Sequence, residues 1–199
     1  PGETQIETDR RIIKRKIVIL RHKLKEIITQ RETQRKQREK FFKIVLAGYT
    51  NAGKSTLLNL LTNANVLVED KLFATLDSTT RLVRTKNGFE FLLSDTVGFI
   101  RKLPHNLIAS FHSTLSEIIY SDLILHVVDT SHPNMEEQIQ VVKDTLKEIN
   151  ASNINTILVF NKIDLLKDTS QIEILSDRYP ESIFISAIRG ININSLIQK

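Results

Sequence analysis

The sequence contains no cysteine and no tryptophan, and it has one methionine, four prolines and six glycines among 199 residues. Without cysteine there is no disulfide and no thiolate metal ligand, which is typical of a reducing cytoplasm. Apolar stretches such as "LILHVV" at 123–128 are too short to cross a bilayer. No secretory signal pattern is present. We therefore expect a cytoplasmic globular protein.

The ends of the sequence indicate a piece of a longer protein. The chain begins at Pro1, and its single methionine is Met135, so no initiator is visible. It ends at Lys199, inside a predicted helix. We expect further segments on both sides.

Positive charge is concentrated in one N-terminal segment. Residues 10–43 contain 14 Lys or Arg and three Glu, whereas residues 44–199 contain 14 basic and 17 acidic residues. This asymmetry is typical of a polyanion-binding segment, and also of a well-solvated helix.

A long helix is predicted over residues 9–40, which contain neither Gly nor Pro. Its apolar residues recur with a 4-3-4-3 spacing, which predicts one amphipathic seam. They are Ile13, Ile17, Leu20, Leu24 and Ile27. The preceding "PGETQIETD" is predicted to be a loop. We therefore divide the chain into a basic helical linker at 1–40, the end of a missing N-terminal domain, and a second domain at 41–199 whose C-terminus is truncated.

Strand-like and helical patterns alternate after residue 40. Strands are predicted at 43–48, 82–86, 89–94, 123–129, 156–161 and 182–186. Helices are predicted at 54–63, 103–119, 135–149, 170–178 and 192–198. The alternation predicts an α/β fold, with a mostly parallel six-stranded sheet covered by helices. Asn87-Gly88 predicts a two-residue hairpin turn, and therefore one antiparallel edge strand.

The segment "GYTNAGKST" lies between a predicted strand and a predicted helix and fits the phosphate-loop pattern G-x-x-x-x-G-K-[ST]. Backbone amides and the helix N-terminus favour the binding of phosphate there. The alternative is a Gly-containing turn between a strand and a helix that binds no phosphate. We expect Lys54 to reach the β- and γ-phosphates and Ser55 to ligate Mg²⁺. The predicted nucleotide contacts are Gly48, Tyr49, Thr50, Asn51, Ala52, Gly53, Lys54, Ser55 and Thr56.

The segment "NKID" follows a later predicted strand and indicates guanine rather than adenine. The Asp164 carboxylate can accept hydrogen bonds from the ring N–H and the exocyclic amine of guanine, a pair that adenine lacks. Asn161 would fix the loop or face the base, and Lys162 would lie along the ring. Alone, "NKID" is also typical of a strand end with a polar turn.

A companion loop follows the last predicted strand, at "SAIRG". There the Ala187 amide would face the guanine oxygen, with Ser186 and Ile188 beside it.

The segment "DTVG" begins at Asp95, at the end of a predicted strand. Asp95 would hold Mg²⁺ through a water, and the Gly98 amide would sense the γ-phosphate. The alternative is that Asp95 is a capping residue before a turn. Upstream, there are three candidates for the threonine that closes over the metal: Thr75, Thr79 and Thr80. Loss of the γ-phosphate would release both the "DTVG" loop and the loop that contains this threonine.

The ordered set "GYTNAGKS", "DTVG", "NKID" and "SA" resembles translation-factor-like GTPases. Three longer strings resemble HflX-type ribosome-associated GTPases: "PGETQIETDRR", "FATLDSTTR" and "DTVGFIRKLPHNLIASFHSTL". The resemblance covers essentially the whole chain. It implies a Ras-like P-loop fold, GTP and GDP as ligands, Mg²⁺, GTP hydrolysis, and action on the large ribosomal subunit and its RNA in ribosome splitting or rescue.

The resemblance also assigns further site residues. The string "FATLD" selects Thr75 as the threonine that closes over the metal, so the implied metal ligands are Ser55, Thr75 and Asp95. Thr79 and Thr80 would support the loop or start the next strand. Catalysis would fall to Lys54, Thr75 and Gly98. The remaining implied nucleotide contacts are Phe73, Ala74, Leu76, Asp77, Thr96 and Val97.

Phe99 stands where Ras-like proteins have a water-orienting Gln. Because Phe neither donates nor accepts a hydrogen bond, we expect slow intrinsic hydrolysis with help from a partner surface, a backbone group or a monovalent cation. The loop with Asn51 resembles those of GTPases that bind K⁺. Arg101 is a candidate arginine finger, although a salt bridge or a partner contact is favoured.

The basic helix has three open roles. It could pack its apolar seam on an N-terminal domain, contact ribosomal RNA phosphates, or lie on an anionic membrane, although it lacks aromatic anchors. No DNA partner is expected. We therefore expect a cytoplasmic protein that associates in part with ribosomes or a membrane.

Two other functions remain open. One is a ribosome-assembly or other RNA-handling GTPase, and the other is a nucleotide-gated scaffold in which binding matters rather than hydrolysis. An ATPase is disfavoured by "NKID". His126 is predicted to be a satisfied core or sheet-end residue, and no histidine has the spacing of a zinc ligand.

Overall fold

In a computed structural model of the protein, the structure describes residues 5–38, 40–62, 79–85, 87–99, 115 and 117–198. The chain divides into two compact units, Pro1–Lys40 and Phe41–Lys199. Among the described helices, none combines the length and the apolar character that a membrane span requires.

The N-terminal unit is a single helix, α1, over Gln5–Arg38. The helix begins four residues before the predicted start at residue 9, so the predicted loop is wrong for residues 5–8. No Gly or Pro follows Gly2 in this stretch, so nothing interrupts helix propagation. The seam residues are all exposed, from 43% for Ile17 to 63% for Leu20.

The second unit is built on a sheet of six strands among the residues that are described. They are β1 (Phe42–Gly48), β2 (Thr79–Arg84), β3 (Glu90–Asp95), β4 (Leu123–Asp129), β5 (Asn155–Asn161) and β6 (Ile183–Phe184). Their spatial order is β2-β3-β1-β4-β5-β6, and only the β2–β3 pair is antiparallel. The predicted α/β sheet with one antiparallel edge strand is confirmed.

Helices connect these strands. They are α2 (Lys54–Thr62), α3 (Met135–Glu148), α4 (Ser170–Arg178) and α5 (Ile193–Gln198), with a short 3₁₀ turn at Ile163–Leu165. The helix predicted over 103–119 lies mostly outside the described residues, and its described end at 117–119 is helical. Central strands such as β4 are buried on both faces, because an apolar cluster lies on each side of the sheet.

The β2–β3 hairpin differs in detail from the prediction. Strand β2 starts at Thr79 rather than residue 82, and Thr79 pairs with Asp95 while Thr80 pairs with Ser94. The two threonines therefore start the next strand, as one predicted alternative had it. The turn is closed by bonds between Thr85 and Phe89, so its loop is longer than two residues. Gly88, at φ 80°, supplies the left-handed residue of such a longer loop.

His126 lies in the middle of β4 and is almost completely buried, at 1% exposure. Burial lowers the pKa of its imidazole to about 3, and Lys143 and Lys54 act in the same direction. Its Nδ1 atom has no hydrogen-bond partner in the part of the chain that the structure describes. His126 is therefore a core residue, as predicted, whose Nδ1 is not satisfied by any described residue, and burial keeps the ring neutral in the folded protein.

The neutral state of His126 predicts a loss of stability in acid. Between pH 6.5 and about 3 the unfolded chain binds a proton at this residue and the folded chain does not, so stability falls as the pH falls. From pH 7 to pH 5 we expect this group to cost about 2 kcal/mol of unfolding free energy. Urea unfolding should show that His126→Leu loses less stability over this interval than the wild type. The exposed control His22→Leu should lose as much stability as the wild type. Equal losses in wild type and His126→Leu would contradict the assignment.

Candidate functional site

The phosphate loop runs from Gly48, the last residue of β1, to Lys54, the first residue of α2. Gly53 has φ 94°, and a Cβ there would lie 2.2 Å from the side-chain nitrogen of Asn161. Only glycine fits both this backbone conformation and this close approach. The loop therefore packs directly against the end of β5, and the first amides of α2 lie beside it.

Lys54 lies inside the loop and is buried, at 6% exposure. Its ammonium donates to the carbonyl oxygens of Gly48 at 3.1 Å and Tyr49 at 3.0 Å. Burial lowers the pKa of Lys54 to about 8, while the nearby Asp95 carboxylate acts in the opposite direction. The positive charge is thus held beneath the loop, where a phosphate bound to the loop amides would meet it.

Two predicted metal ligands meet beside the start of α2. The Ser55 hydroxyl donates to the Asp95 carboxylate at 2.5 Å, and Asp95 is fully buried at the end of β3. A hydroxyl and a carboxylate at one point are the hard oxygen donors that Mg²⁺ prefers, and Mg²⁺ completes its shell with water and phosphate oxygens. These residues therefore fit Mg²⁺. The third predicted ligand, Thr75, lies outside the described residues.

The segment "DTVG" is tied to the phosphate loop by main-chain bonds. The Phe99 amide donates to the Gly48 carbonyl at 3.0 Å, and the Thr50 amide donates to the Phe99 carbonyl at 2.9 Å. A Cβ on Gly98 would lie 2.8 Å from the Thr50 Cα, so no side chain fits there. Gly98 is therefore held against the phosphate loop.

The side chains around Gly98 point into the protein. Thr96 donates its hydroxyl to the Leu46 carbonyl at 2.8 Å, and Val97 and Phe99 are buried in an apolar cluster. Any contact of Thr96 or Val97 with a nucleotide would therefore be made by the backbone. Phe99, at 1% exposure, belongs to the core and does not reach a phosphate-bound water.

Asn161 joins the phosphate loop to the companion loop after β6. Its amide nitrogen donates to the Ala52 carbonyl at 2.9 Å, and its amide oxygen accepts from the Ala187 amide at 2.9 Å. Of the two predicted roles, Asn161 therefore fixes the loops. The Ala187 amide, which was predicted to face the guanine oxygen, is bonded to Asn161 here, so a base oxygen would have to share it.

Asp164 lies in the 3₁₀ turn that begins within "NKID", and it is exposed. Its carboxylate accepts a hydrogen bond from the Ser186 hydroxyl at 2.5 Å. Lys162 has a left-handed backbone, with φ 65°, and its ammonium donates to the Asp129 carboxylate at 2.6 Å. The two loops that are predicted to contact the base are thus linked to each other and to the end of β4.

These elements surround one cavity of about 470 Å³. It is lined by Asn51, Gly53, Thr56, Asn161, Lys162, Asp164, Leu165, Ala187 and Ile188. All of them except Leu165 were predicted nucleotide contacts. The cavity is of the size of a small-molecule site, and its lining combines polar and charged side chains with the apolar residues Leu165, Ala187 and Ile188.

The predicted residues and the residues of the site differ in two respects. Phe73, Ala74, Thr75, Leu76, Asp77 and Arg101 lie outside the described residues. Leu165 was missed, although its position directly after Asp164 places it at the cavity. Asp129 was missed because its pairing with Lys162 joins two different strand ends.

Two family models match the sequence. The first, described as "50S ribosome-binding GTPase", matches residues 43–162. The second, described as "GTP-binding GTPase Middle Region", matches residues 1–38.

Curated relatives with the name GTPase HflX are similar to almost the entire chain. The relative from Caldanaerobacter subterraneus subsp. tengcongensis is 48% identical over 200 residues, which is 100% of this chain and 45% of that protein. The Escherichia coli K12 relative is 45% identical over 201 residues, again 100% of this chain and 47% of that protein. The Flavobacterium psychrophilum relative is 54% identical over 84% of this chain and 40% of that protein. The chain spans less than half the length of these relatives.

Solved structures with the same fold are GTP-binding proteins. A complex of SsGBP with GDP has a TM-score of 0.69 and 28% identity, covering 98% of this chain and 60% of that chain. A structure of Era with MgGDPNP and nucleotides 1506–1542 of 16S ribosomal RNA has a TM-score of 0.63 and 26% identity, covering 79% of this chain and 55% of that chain.

Proposed function

This chain belongs to the family of 50S ribosome-binding GTPases, and on that premise we propose that it is a GTP-binding and GTP-hydrolysing switch that acts on the large ribosomal subunit, in ribosome splitting or rescue. The observation that carries the proposal is the position of Asn161, which joins the phosphate loop at Ala52 to the companion loop at Ala187. Residues that we assign to the phosphates and residues that we assign to the base therefore line the same cavity.

Guanine selectivity is assigned to Asp164. Its exposed carboxylate lines the cavity and is oriented by the Ser186 hydroxyl. A carboxylate in this position would accept the two adjacent N–H groups of guanine and reject adenine. Leu165 and Ile188 would supply apolar surface to the faces of the base.

Hydrolysis is assigned to the groups around the phosphate loop. Lys54 would stabilise the charge that develops on the transferred phosphoryl group, and the Gly98 amide would hold the γ-phosphate. Ser55 and Asp95 would hold Mg²⁺, which neutralises phosphate charge when it is bound. We propose that Thr75 closes over this site in the GTP state and that hydrolysis releases it.

A monovalent cation is the proposed aid to hydrolysis, because Phe99 is buried and cannot orient water. Asn51 has a left-handed backbone, with φ 61°, and its exposed side chain lines the cavity beside the phosphate loop. Its amide oxygen could coordinate K⁺ next to the phosphates. The cation would supply the charge that an arginine finger supplies in other GTPases.

Replacing Na⁺ by K⁺ should therefore raise GTP turnover about tenfold in the wild type, through transition-state charge stabilisation. Asn51→Ala should abolish this difference. The matched control is Asn150→Ala, which changes another exposed Asn with a left-handed backbone, at φ 58°, and should retain the K⁺ effect. Equal turnover of the wild type in both salts would refute the proposal that K⁺ assists hydrolysis.

The switch is tested by GTP turnover with and without purified large ribosomal subunits. A partner can drive the cycle only if it binds the GTP and GDP states with different affinity. We expect subunits to raise turnover, and salt to weaken the association if the basic residues of α1 contact RNA phosphates. No stimulation in either K⁺ or Na⁺ would refute ribosome-coupled hydrolysis by this chain.

A ribosome-assembly role is the second candidate, because the Era neighbour was solved with a segment of 16S ribosomal RNA. The two functions differ in substrate. Splitting of intact ribosomes supports the first proposal, whereas selective binding to precursor subunits without splitting supports the second.

A further inference from the structure

The tripeptide Asp-Thr-Ser occurs twice in the second unit, at 129–131 and 168–170. In both copies the serine amide and hydroxyl donate to the aspartate carboxylate. In the second copy the two bonds use one carboxylate oxygen each, and Asp168 is exposed beside the start of α4. This copy is an ordinary Asx turn, in which an aspartate side chain bonds the backbone two residues further on.

The first copy uses its carboxylate differently. Both serine bonds fall on Oδ1 of Asp129, at 3.0 Å from the amide and 2.6 Å from the hydroxyl. The other oxygen, Oδ2, accepts the Lys162 ammonium at 2.6 Å. The side chains of Lys162 and Asp129 are only 22% and 13% exposed, so this ion pair is largely removed from water.

Thr130 adds a second attachment to the same loop. Its amide and its hydroxyl both donate to the Asn161 carbonyl, at 3.0 Å and 2.7 Å. At the end of the neighbouring strand β4, Asp129 therefore binds Lys162 and Thr130 binds Asn161, the first two residues of "NKID". We name Asp129 and Thr130 the β4 brace.

Lys162 needs such support because of its backbone. Its φ of 65° lies in the left-handed region, which residues other than Gly and Asn rarely adopt. A strained residue of this kind keeps its conformation only where its surroundings determine it. The Asp129 carboxylate fixes the ammonium, and Lys162 is one of the residues that line the cavity.

We propose that the β4 brace positions Lys162 and Asn161 and thereby sets how long a guanine nucleotide stays bound. This inference rests on the proposed function, since it requires a guanine nucleotide in the cavity. Asp129 is a positioning residue: it acts on the nucleotide through Lys162. Without its negative charge, the Lys162 ammonium would be left half-buried without a counter-ion, and the loop would relax.

The test is the dissociation rate of a fluorescent GDP analogue, measured by displacement with excess GDP in Mg²⁺. Asp129→Asn retains an oxygen for the two Ser131 bonds and removes the charge. We expect it to accelerate dissociation about tenfold and to change the association rate by less than about twofold. The matched control is Asp168→Asn, the same change in the same tripeptide, which should leave both rates unchanged.

A double-mutant cycle separates positioning from a general structural role. In a Lys162→Met background, Asp129→Asn should have no further effect on dissociation. If Asp129→Asn accelerates dissociation equally in both backgrounds, or has no effect in the wild-type background, the brace is refuted. A wild-type chain that does not bind GDP at all refutes the proposed function itself, so the two failures are distinct.

Discussion

Asp164→Asn is expected to lower the affinity for GDP about a thousandfold and to raise the affinity for xanthosine diphosphate by a similar factor. The Asp164 carboxylate would accept two N–H groups of guanine side by side. An asparagine presents an N–H to one of them, so a donor faces a donor. Xanthine has a carbonyl oxygen in place of the exocyclic amine and accepts that donor. The change keeps the size of the side chain and an oxygen for the Ser186 hydroxyl bond.

Equilibrium titration of both diphosphates against wild type and variant measures this exchange. Asp168→Asn, four residues further on and exposed at α4, is the control and should leave both affinities unchanged. If Asp164→Asn binds GDP as the wild type does, then Asp164 does not contact the base, and the guanine assignment is wrong.

Gly98→Ala is expected to reduce GTP turnover at least about 100-fold while changing GDP affinity by less than about threefold. A Cβ on residue 98 would lie 2.8 Å from the Thr50 Cα and 2.7 Å from its methyl group. The segment must therefore shift away from the phosphate loop, and the bonds that join Phe99 to Gly48 and Thr50 would break. The amide assigned to the γ-phosphate moves with it, whereas the groups assigned to the base do not.

The measurement is single-turnover hydrolysis of GTP beside a GDP titration. Gly88→Ala is the matched control, because Gly88 lies at the hairpin turn, and beyond its chain neighbours no described residue has an atom within 4 Å of an added Cβ. It should reduce stability by about 1 kcal/mol, through its left-handed backbone, and leave turnover unchanged. Normal turnover in Gly98→Ala would show that the tie between "DTVG" and the phosphate loop has no role in hydrolysis.

The sheet could be predicted because its strands are strongly apolar and are separated by clear helical patterns. Strand ends were less certain: Thr79 and Thr80 extend β2 through pairing with β3, and this tertiary contact leaves little trace in the local pattern. The early start of α1 was missed because a polar lead-in resembles a loop although it contains no helix breaker after Gly2.

The parts of the candidate site that could be predicted are those whose residues are consecutive in the sequence. The phosphate loop and "NKID" each carry their chemistry within a few consecutive residues. The connections between loops could not be predicted, because they depend on which strand ends are neighbours. The bond from Asn161 to Ala52 joins residues 109 positions apart, and the Lys162–Asp129 pair spans 33. The same reason explains why the Ala187 amide bonds to Asn161 rather than remaining open for the base.

The most direct test of the central claim is a competition titration of the wild-type chain, in which unlabelled GTP, GDP and ATP displace a fluorescent GDP analogue in Mg²⁺. Asn161 and Asp164 line one cavity beside the phosphate loop, and Lys54 is bonded to that loop. This arrangement predicts that GTP and GDP displace the analogue at micromolar concentrations or below, and that ATP requires at least about a thousandfold more. Displacement by ATP and GTP at similar concentrations, or no binding of the analogue, would contradict the assignment of this cavity as a guanine-nucleotide site.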